Sequence, residues 1–185
     1  MKTALILIDI QNDYFPGGKM ELVGSPEASL QARKLLDVFR RRKLPLVHIQ
    51  HISTRPSATF FLPDTQGVCI HPNVQPIENE AVIQKHYPNS FRETPLLDHL
   101  KDQQVERLII TGMMTHMCVD ATTRAAFDLG FTCLIAQDAC ATRDLVFRDI
   151  HIPARHVHAS FLAALNGTYG KVMDTDEILA QEFAD

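Results

Sequence analysis

Short apolar runs alternate with amphipathic stretches along most of the 185 residues. Residues 3–8 (Thr-Ala-Leu-Ile-Leu-Ile) are almost wholly apolar and rich in β-formers, the pattern of a central parallel strand covered on both faces. Gly24-Ser25-Pro26-Glu27 then predicts a helix start, with Ser25 as N-cap and Pro26 in the first turn. Leu30, Leu35, Leu36, Val38 and Phe39 give that helix its apolar face, which ends near Lys43 before Pro45. Further strands are predicted at 46–50, 81–85, 105–111, 131–136 and 169–173. Helices are predicted at 94–101, at 116–129 with Gly130 as C-cap, and at 153–165 with Val157, Phe161, Leu162 and Leu165 inward. Asp174-Thr175-Asp176-Glu177 has the form of a capping box opening a last helix.

Six β units separated by helices imply a three-layer α/β/α fold: a six-stranded, mostly parallel sheet with right-handed crossovers and helices on both faces. No repeat, low-complexity tract or linker breaks the alternation, so residues 1–185 are expected to form a single domain. The irregular stretch is 51–79, which carries Pro56, Pro63, Pro72 and Pro76; a loop of that length inside a domain predicts a functional lid.

Composition changes this picture little. Hydrophobic residues make up 45% and charged residues 22%, ordinary for a globular chain. The net charge of −4 leaves no large positive field, so no nucleic-acid partner is expected, and the run Arg40-Arg41-Arg42-Lys43 reads as the solvated C-terminal end of a helix. The first apolar run is too short for a signal peptide, and no other run approaches the ~20 apolar residues of a membrane helix. A cytoplasmic protein with no membrane partner is the expectation. Cys69, Cys118, Cys133 and Cys140 include no Cys-x-x-Cys pair, which argues against zinc ribbons and thioredoxin-type redox motifs and for free thiols in a reducing compartment.

In open α/β sheets ligands bind beyond the carboxyl ends of the strands. Asp9 follows the first strand, Lys85 ends the third, and 112–118 spans the turn after the fourth, so an acid, a cation and a thiol converge on one sheet edge. If Thr115 caps the following helix, Cys118 lies in its first turn, where unpaired N–H groups favour a thiolate and can hold an oxyanion. A carboxylate can take the thiol proton and later pass it to a leaving amine, while a lysine balances charge and orients both groups. Each residue also has a plainer reading: Asp9 as a cap for residues 11–13, Lys85 as an edge-strand lysine, Cys118 as core packing. Gly17-Gly18-Lys19 is not a phosphate loop, because Met20 stands where Ser or Thr is required.

Three blocks carry a resemblance: Leu7-Ile8-Asp9-Ile10-Gln11-Asn12-Asp13-Tyr14-Phe15, Lys85-His86-Tyr87-Pro88-Asn89-Ser90-Phe91 and Thr111-Gly112-Met113-Met114-Thr115-His116-Met117-Cys118-Val119. In that order and spacing the chain resembles the isochorismatase-like cysteine hydrolases, which include nicotinamidases, N-carbamoylsarcosine amidases and isochorismatases, over essentially its whole length. The resemblance implies a catalytic triad of Asp9, Lys85 and Cys118. It also implies a cis peptide at Met113–Met114 and an oxyanion hole from the N–H groups of Met114 and Cys118. The expected reaction is hydrolysis of a C–N bond in a small amide or ureido compound through a thioester-type intermediate, by a homodimer or higher homo-oligomer.

Nicotinamidases carry an Asp-x-His element and a further histidine for a metal. Here the corresponding stretch is His48-Ile49-Gln50-His51-Ile52-Ser53, with no aspartate and with His48 and His51 on opposite faces of a strand. No metal or other cofactor is therefore expected, and His51 reads as a pocket wall. Phe15, Phe60, Phe61, Tyr87 and Phe91 are the other candidates for an apolar pocket suited to a small neutral amide. Met113, Met114 and Met117 read as pocket or core filling, Cys133 as packing, His116 as turned away from the chemistry, and His71, His86, His151, His156 and His158 as surface or satisfied histidines. A metal-assisted amidase and a non-catalytic binding protein stand as alternatives.

Overall fold

A computed structural model describes residues 1–181. Its central sheet contains β1 (Thr3–Ile8), β2 (Leu46–His51), β3 (Ala81–Lys85), β4 (Arg107–Met113), β5 (Thr132–Ala141) and, after the hairpin β6 (Leu145–Phe147) and β7 (Ile150–Ile152), β8 (Lys171–Met173). The strand order is β3-β2-β1-β4-β5-β8 and every pairing in this sheet is parallel. Five helices cover it: α1 (Ser25–Arg42), α2 (Leu96–Asp102), α3 (Asp120–Asp128), α4 (Ala154–Leu165) and α5 (Thr175–Leu179).

The period-two alternation of β1 divides the core between the faces. Leu5 and Leu7 pack with Leu35, Leu36 and Phe39 of α1 and Ile178 of α5. Ala4, Ile6 and Ile8 pack with Leu100 of α2, Ala126 of α3 and Leu162 of α4. This is the three-layer arrangement expected of the sequence, and no helix among the described residues is long and apolar enough to cross a membrane.

One close approach sets the middle of the sheet. Ile8 pairs with Gly112, whose φ is +123°, and a β-carbon there would lie 2.0 Å from the Ile8 carbonyl oxygen. Only glycine lets β4 pass so near β1.

Several elements differ from the sequence pattern for local reasons. Gly24 (φ 75°), not Ser25, caps α1, and Ser25 is already helical. At the other end of α1, Arg40 is not simply solvated: its guanidinium grips Glu80 in a bidentate pair (2.7 and 2.8 Å) and ties α1 to the segment before β3. β5 runs past position 136 through Gln137 and Asp138. These polar residues are satisfied by the start of α5, where Asp138 accepts from both the Thr175 N–H and its hydroxyl at 2.8 Å, and Gln137 meets Asp174. The β6–β7 hairpin leaves no glycine or asparagine signal at its turn, where Arg148 takes φ 55°. The long stretch 51–79 is anchored rather than hanging free. Asn12 and Asp13 N–H donate to the Cys69 and Gly67 carbonyls (3.0 and 2.9 Å), and the Asp13 carboxylate accepts from Phe61 N–H at 2.7 Å.

Candidate active site

The parallel sheet delivers three strand ends to one edge. Asp9 stands just beyond β1 with φ 51°, a left-handed conformation that aspartate tolerates better than most residues. Its N–H still donates to Ile49 of β2 (3.1 Å), so the chain turns without losing its place in the sheet. Gln11 fixes the neighbouring strand end: its side chain donates to His51 O (2.9 Å) and Val68 O (2.7 Å) and accepts from His51 N–H (2.8 Å). The sequence signal for this clamp is a glutamine three residues past the end of a buried strand.

Asp9, Lys85 and Cys118, expected to converge, do so around one nitrogen. Lys85 Nζ lies 2.7 Å from Asp9 Oδ2, 3.3 Å from Cys118 Sγ, 3.0 Å from His51 Nδ1 and 3.1 Å from the Tyr87 carbonyl oxygen. An ammonium has three N–H groups for these four neighbours. Asp9 is the one left short: both oxygens are buried, and beyond its ion pair with Lys85 the carboxylate holds no hydrogen bond among the described residues. Burial is the largest influence on Lys85 and would lower its pKa, but Asp9 and Cys118 together outweigh it and the net shift is upward, which keeps the amine charged.

Cys118 lies in a π turn, Thr115–Val119, and not in the first turn of an α-helix; α3 begins only at Asp120. Thr115 is not the cap that its position suggests. Its hydroxyl donates to Ala141 O (3.2 Å) and meets His158 Nδ1 (2.9 Å). The thiol is pushed up from its ordinary range by burial and then by Asp9, with Lys85 opposing. The resting sulfur is therefore a thiol. Desolvation outweighs the helix-end effect that would have made it a thiolate. The Met113–Met114 peptide is cis.

His51 Nδ1 can only accept from the ammonium, which puts the ring proton on Nε2 and leaves the imidazole neutral. Burial first, and Lys85 after it against the pull of Asp9, lower its pKa to about 4. Unfolding therefore binds a proton between pH ~6.5 and ~4, so stability is full above ~6.5 and falls with pH down to ~4, by at most about 3 kcal/mol. Chemical denaturation of His51→Asn across that window should show a flatter pH slope than the wild type; an unchanged slope would exclude His51 as its source.

His51, Asp9 and Cys118 offer ligand atoms all within 4.8 Å of one another, a set that invites a metal. The Lys85 ammonium already stands within hydrogen-bonding or ion-pair distance of all three. A divalent ion would have to displace that ammonium or share a buried site with a like charge, so these residues do not fit a metal. His48, on the other face of β2, meets Glu80 at 3.0 Å and cannot join His51. Glu80 itself is held down to about 2: burial pulls it upward, and the hydrogen bonds from Arg40, Ile77 N–H and His48 overcome that.

A pocket of about 360 Å³ opens over the thiol, within the range of small-molecule sites. Of the predicted walls, His51, Phe60, Phe61 and Tyr87 line it. Phe15 does not: it stacks on His71 at 3.6 Å in the core. Phe91 does not either, and stacks on Phe131 at 6.1 Å. Met114 and Met117, read as pocket or core filling, line the pocket too, while sequence pattern missed Tyr14 as a wall, and Ser53, Thr54, Arg55, His86 and Pro88 on the loops. His86, expected at the surface or satisfied, is both bonded to Ile52 O (2.8 Å) and part of the wall. Among the described residues no carboxylate lines this pocket; Asp9 and Lys85 lie behind Cys118, which alone of the three reaches it. His116 is held by Thr142 (2.6 Å) away from the pocket. Cys133 and Cys140 are buried with thiols pushed up to about 12 by burial.

The Isochorismatase domain family model matches residues 3–177. The chain is 50% identical over 179 residues to the isochorismatase family protein YddQ of Bacillus subtilis, covering 97% of this chain and 99% of that one. It is 34% identical over 143 residues to a streptothricin hydrolase of Streptomyces noursei, covering 77% of this chain and 55% of the relative. An isochorismatase hydrolase of Oleispira antarctica, known from a crystal structure, superposes with a TM-score of 0.93 at 51% identity, with 97% of each chain covered.

Proposed function

The chain belongs to the isochorismatase domain family, whose members are hydrolases acting on C–N or related bonds, and from that premise we propose that it cleaves the C–N bond of a small amide or ureido compound through a covalent Cys118 intermediate. One observation carries this reading: a buried ammonium bridges a carboxylate and a protonated thiol, and only the thiol faces the pocket.

The chemistry follows from keeping that buried centre neutral. At rest, Asp9 is negative, Lys85 positive and Cys118 neutral. As sulfur attacks the carbonyl carbon, its proton passes to Asp9 and the negative charge moves to the substrate oxygen, held by the N–H groups of Met114 and Cys118. Collapse expels the amine, which takes the proton from Asp9, and leaves a thioester. Water then repeats the sequence: Asp9 takes its proton, the acyl carbon passes through a second oxyanion, and the sulfur leaves and recovers the proton. At every stage the centre carries one negative charge against the one positive charge of Lys85, so no step adds net charge to a site where an unpaired charge is costly. A purely binding role gives no reason for such a centre, and a metal-assisted route has no room beside the ammonium.

Apolar walls and the lack of any wall carboxylate suit a neutral or anionic compound, with Arg55 on the wall. The whole chain is read as one domain, and its free thiols suit a reducing, cytoplasmic setting. The β6–β7 hairpin supports a homodimer or higher homo-oligomer, because Val146, Phe147 and Ile150 are each more than 60% exposed, unusual for apolar residues side by side. Light scattering should show a multiple of the chain mass that falls toward the monomer in Phe147→Glu; a wild type already monomeric would refute the oligomer.

The function is tested with a panel of small amides and ureido compounds scored for ammonia release, alongside intact-mass spectrometry of quenched reactions. Ammonia together with an acyl adduct on Cys118 is the expected result. An adduct without ammonia would overturn the C–N assignment, and turnover with no dependence on Cys118 would overturn the nucleophile.

A further inference from the structure

Tyr14 follows β1 in the loop that runs beneath the pocket. Its backbone is fixed on both sides, with N–H donating to Gln11 O and its carbonyl accepting from Leu22 N–H, each at 3.0 Å. The ring packs against Phe61 and Phe60, with centroids 4.5 and 5.9 Å away. The residue is only 2% exposed, yet it lines the pocket together with Cys118. Buried tyrosine hydroxyls almost always find a hydrogen-bond partner. Among the described residues this one meets none, and it is not one of the polar atoms sealed from solvent, so it opens on the pocket.

Under the hydrolase reading, the scissile carbonyl oxygen belongs to the N–H groups of Met114 and Cys118. A phenol in the same pocket must then serve a different substrate atom. We infer that Tyr14 donates a hydrogen bond to a second acceptor on the substrate and so sets its specificity. The substrate class narrows to small amides carrying, besides the carbonyl to be attacked, a ring nitrogen, ring carbonyl or ether oxygen. Burial above all, followed by Cys118 and Asp9, holds the phenol pKa well above its ordinary value, so the group stays a donor throughout. A site built to hydrogen-bond a substrate discriminates sharply against the analogue that lacks the partner, since the analogue covers the hydroxyl and leaves it unpaired.

This inference rests on the hydrolase reading, and the test separates the two. The probes are benzamide and the isomeric pyridinecarboxamides, which differ by one ring nitrogen. Their affinities are measured by calorimetry on Cys118→Ala, which cannot turn them over, with and without Tyr14→Phe; kcat and KM follow for the wild type and Tyr14→Phe. At least one pyridinecarboxamide should bind roughly ten- to a hundredfold tighter than benzamide. Tyr14→Phe should erase that preference, leave benzamide affinity within about twofold and keep the wild-type melting temperature, since ring packing is retained. Where turnover occurs, the loss should fall on kcat/KM for the acceptor-bearing amide alone. A binding preference without any ammonia release would spare Tyr14 and sink the hydrolase reading. Equal affinities in the Tyr14 protein, a preference that survives in Tyr14→Phe, or no binding of any probe overturns the inference.

Discussion

Cys118→Ala should abolish hydrolysis, with kcat/KM falling on the order of a thousandfold or more and no covalent adduct left to detect. The size follows from the role: without sulfur no thioester forms, and what remains is binding and the oxyanion hole. Folding should survive, because the lost atom borders the pocket and leaves no sealed cavity in the core. The control is Cys69→Ala, which removes the exposed thiol and should change neither rate nor melting temperature. Because the resting sulfur is a thiol, alkylation of Cys118 by iodoacetamide should be slow without substrate despite the nucleophilic role proposed for it. Activity surviving in the alanine variant would remove cysteine chemistry from the protein altogether.

Lys85→Met should be costly in a different way, because it damages fold and function together. The substitution strands the Asp9 carboxylate in the interior with no cation beside it. Breaking a buried pair by removing one partner costs about 3–5 kcal/mol, which for a chain of this size is roughly a 10 °C loss in melting temperature. The double variant Asp9→Asn/Lys85→Met removes both charges and should regain most of that stability while remaining inactive. Thermal melts of the two variants, beside the wild type, decide it. A single variant melting with the wild type would mean that the pair is not buried as described.

The convergence of Asp9, Lys85 and Cys118 was legible because strand ends in a parallel sheet are fixed by the apolar runs that precede them. Leu5 to Ile8, Ile83 and Leu108 to Ile110 set those ends by burial alone. What the pattern could not carry was local geometry decided by tertiary partners. The π turn at Thr115–Val119 has the same residues as an ordinary helix start, and only Ala141 and His158 show why Thr115 does not cap it. The thiol's protonation depends on desolvation, a property of the assembled site. Phe15 and Phe91 were indistinguishable in sequence from Phe60 and Phe61, because aromatic character says nothing about whether a ring faces a cavity or another ring. Tyr14 is silent in the sequence for a related reason: whether a hydroxyl finds a partner is decided by what the fold brings beside it.

Gly112 has a consequence for how such a protein can change over time. Its missing side chain sets the separation of β1 from β4, and with it the distance between the residue after β1 and the turn that carries the sulfur. Any substitution there drives the Ile8 carbonyl outward, so acid and thiol would drift apart even with all three reacting residues intact. The walls at 53–55, 60–61 and 86–88 sit on loops outside the strands. New substrates can therefore be reached by redrawing those loops, while the spacing of the reacting atoms is inherited unchanged from a glycine that never touches them.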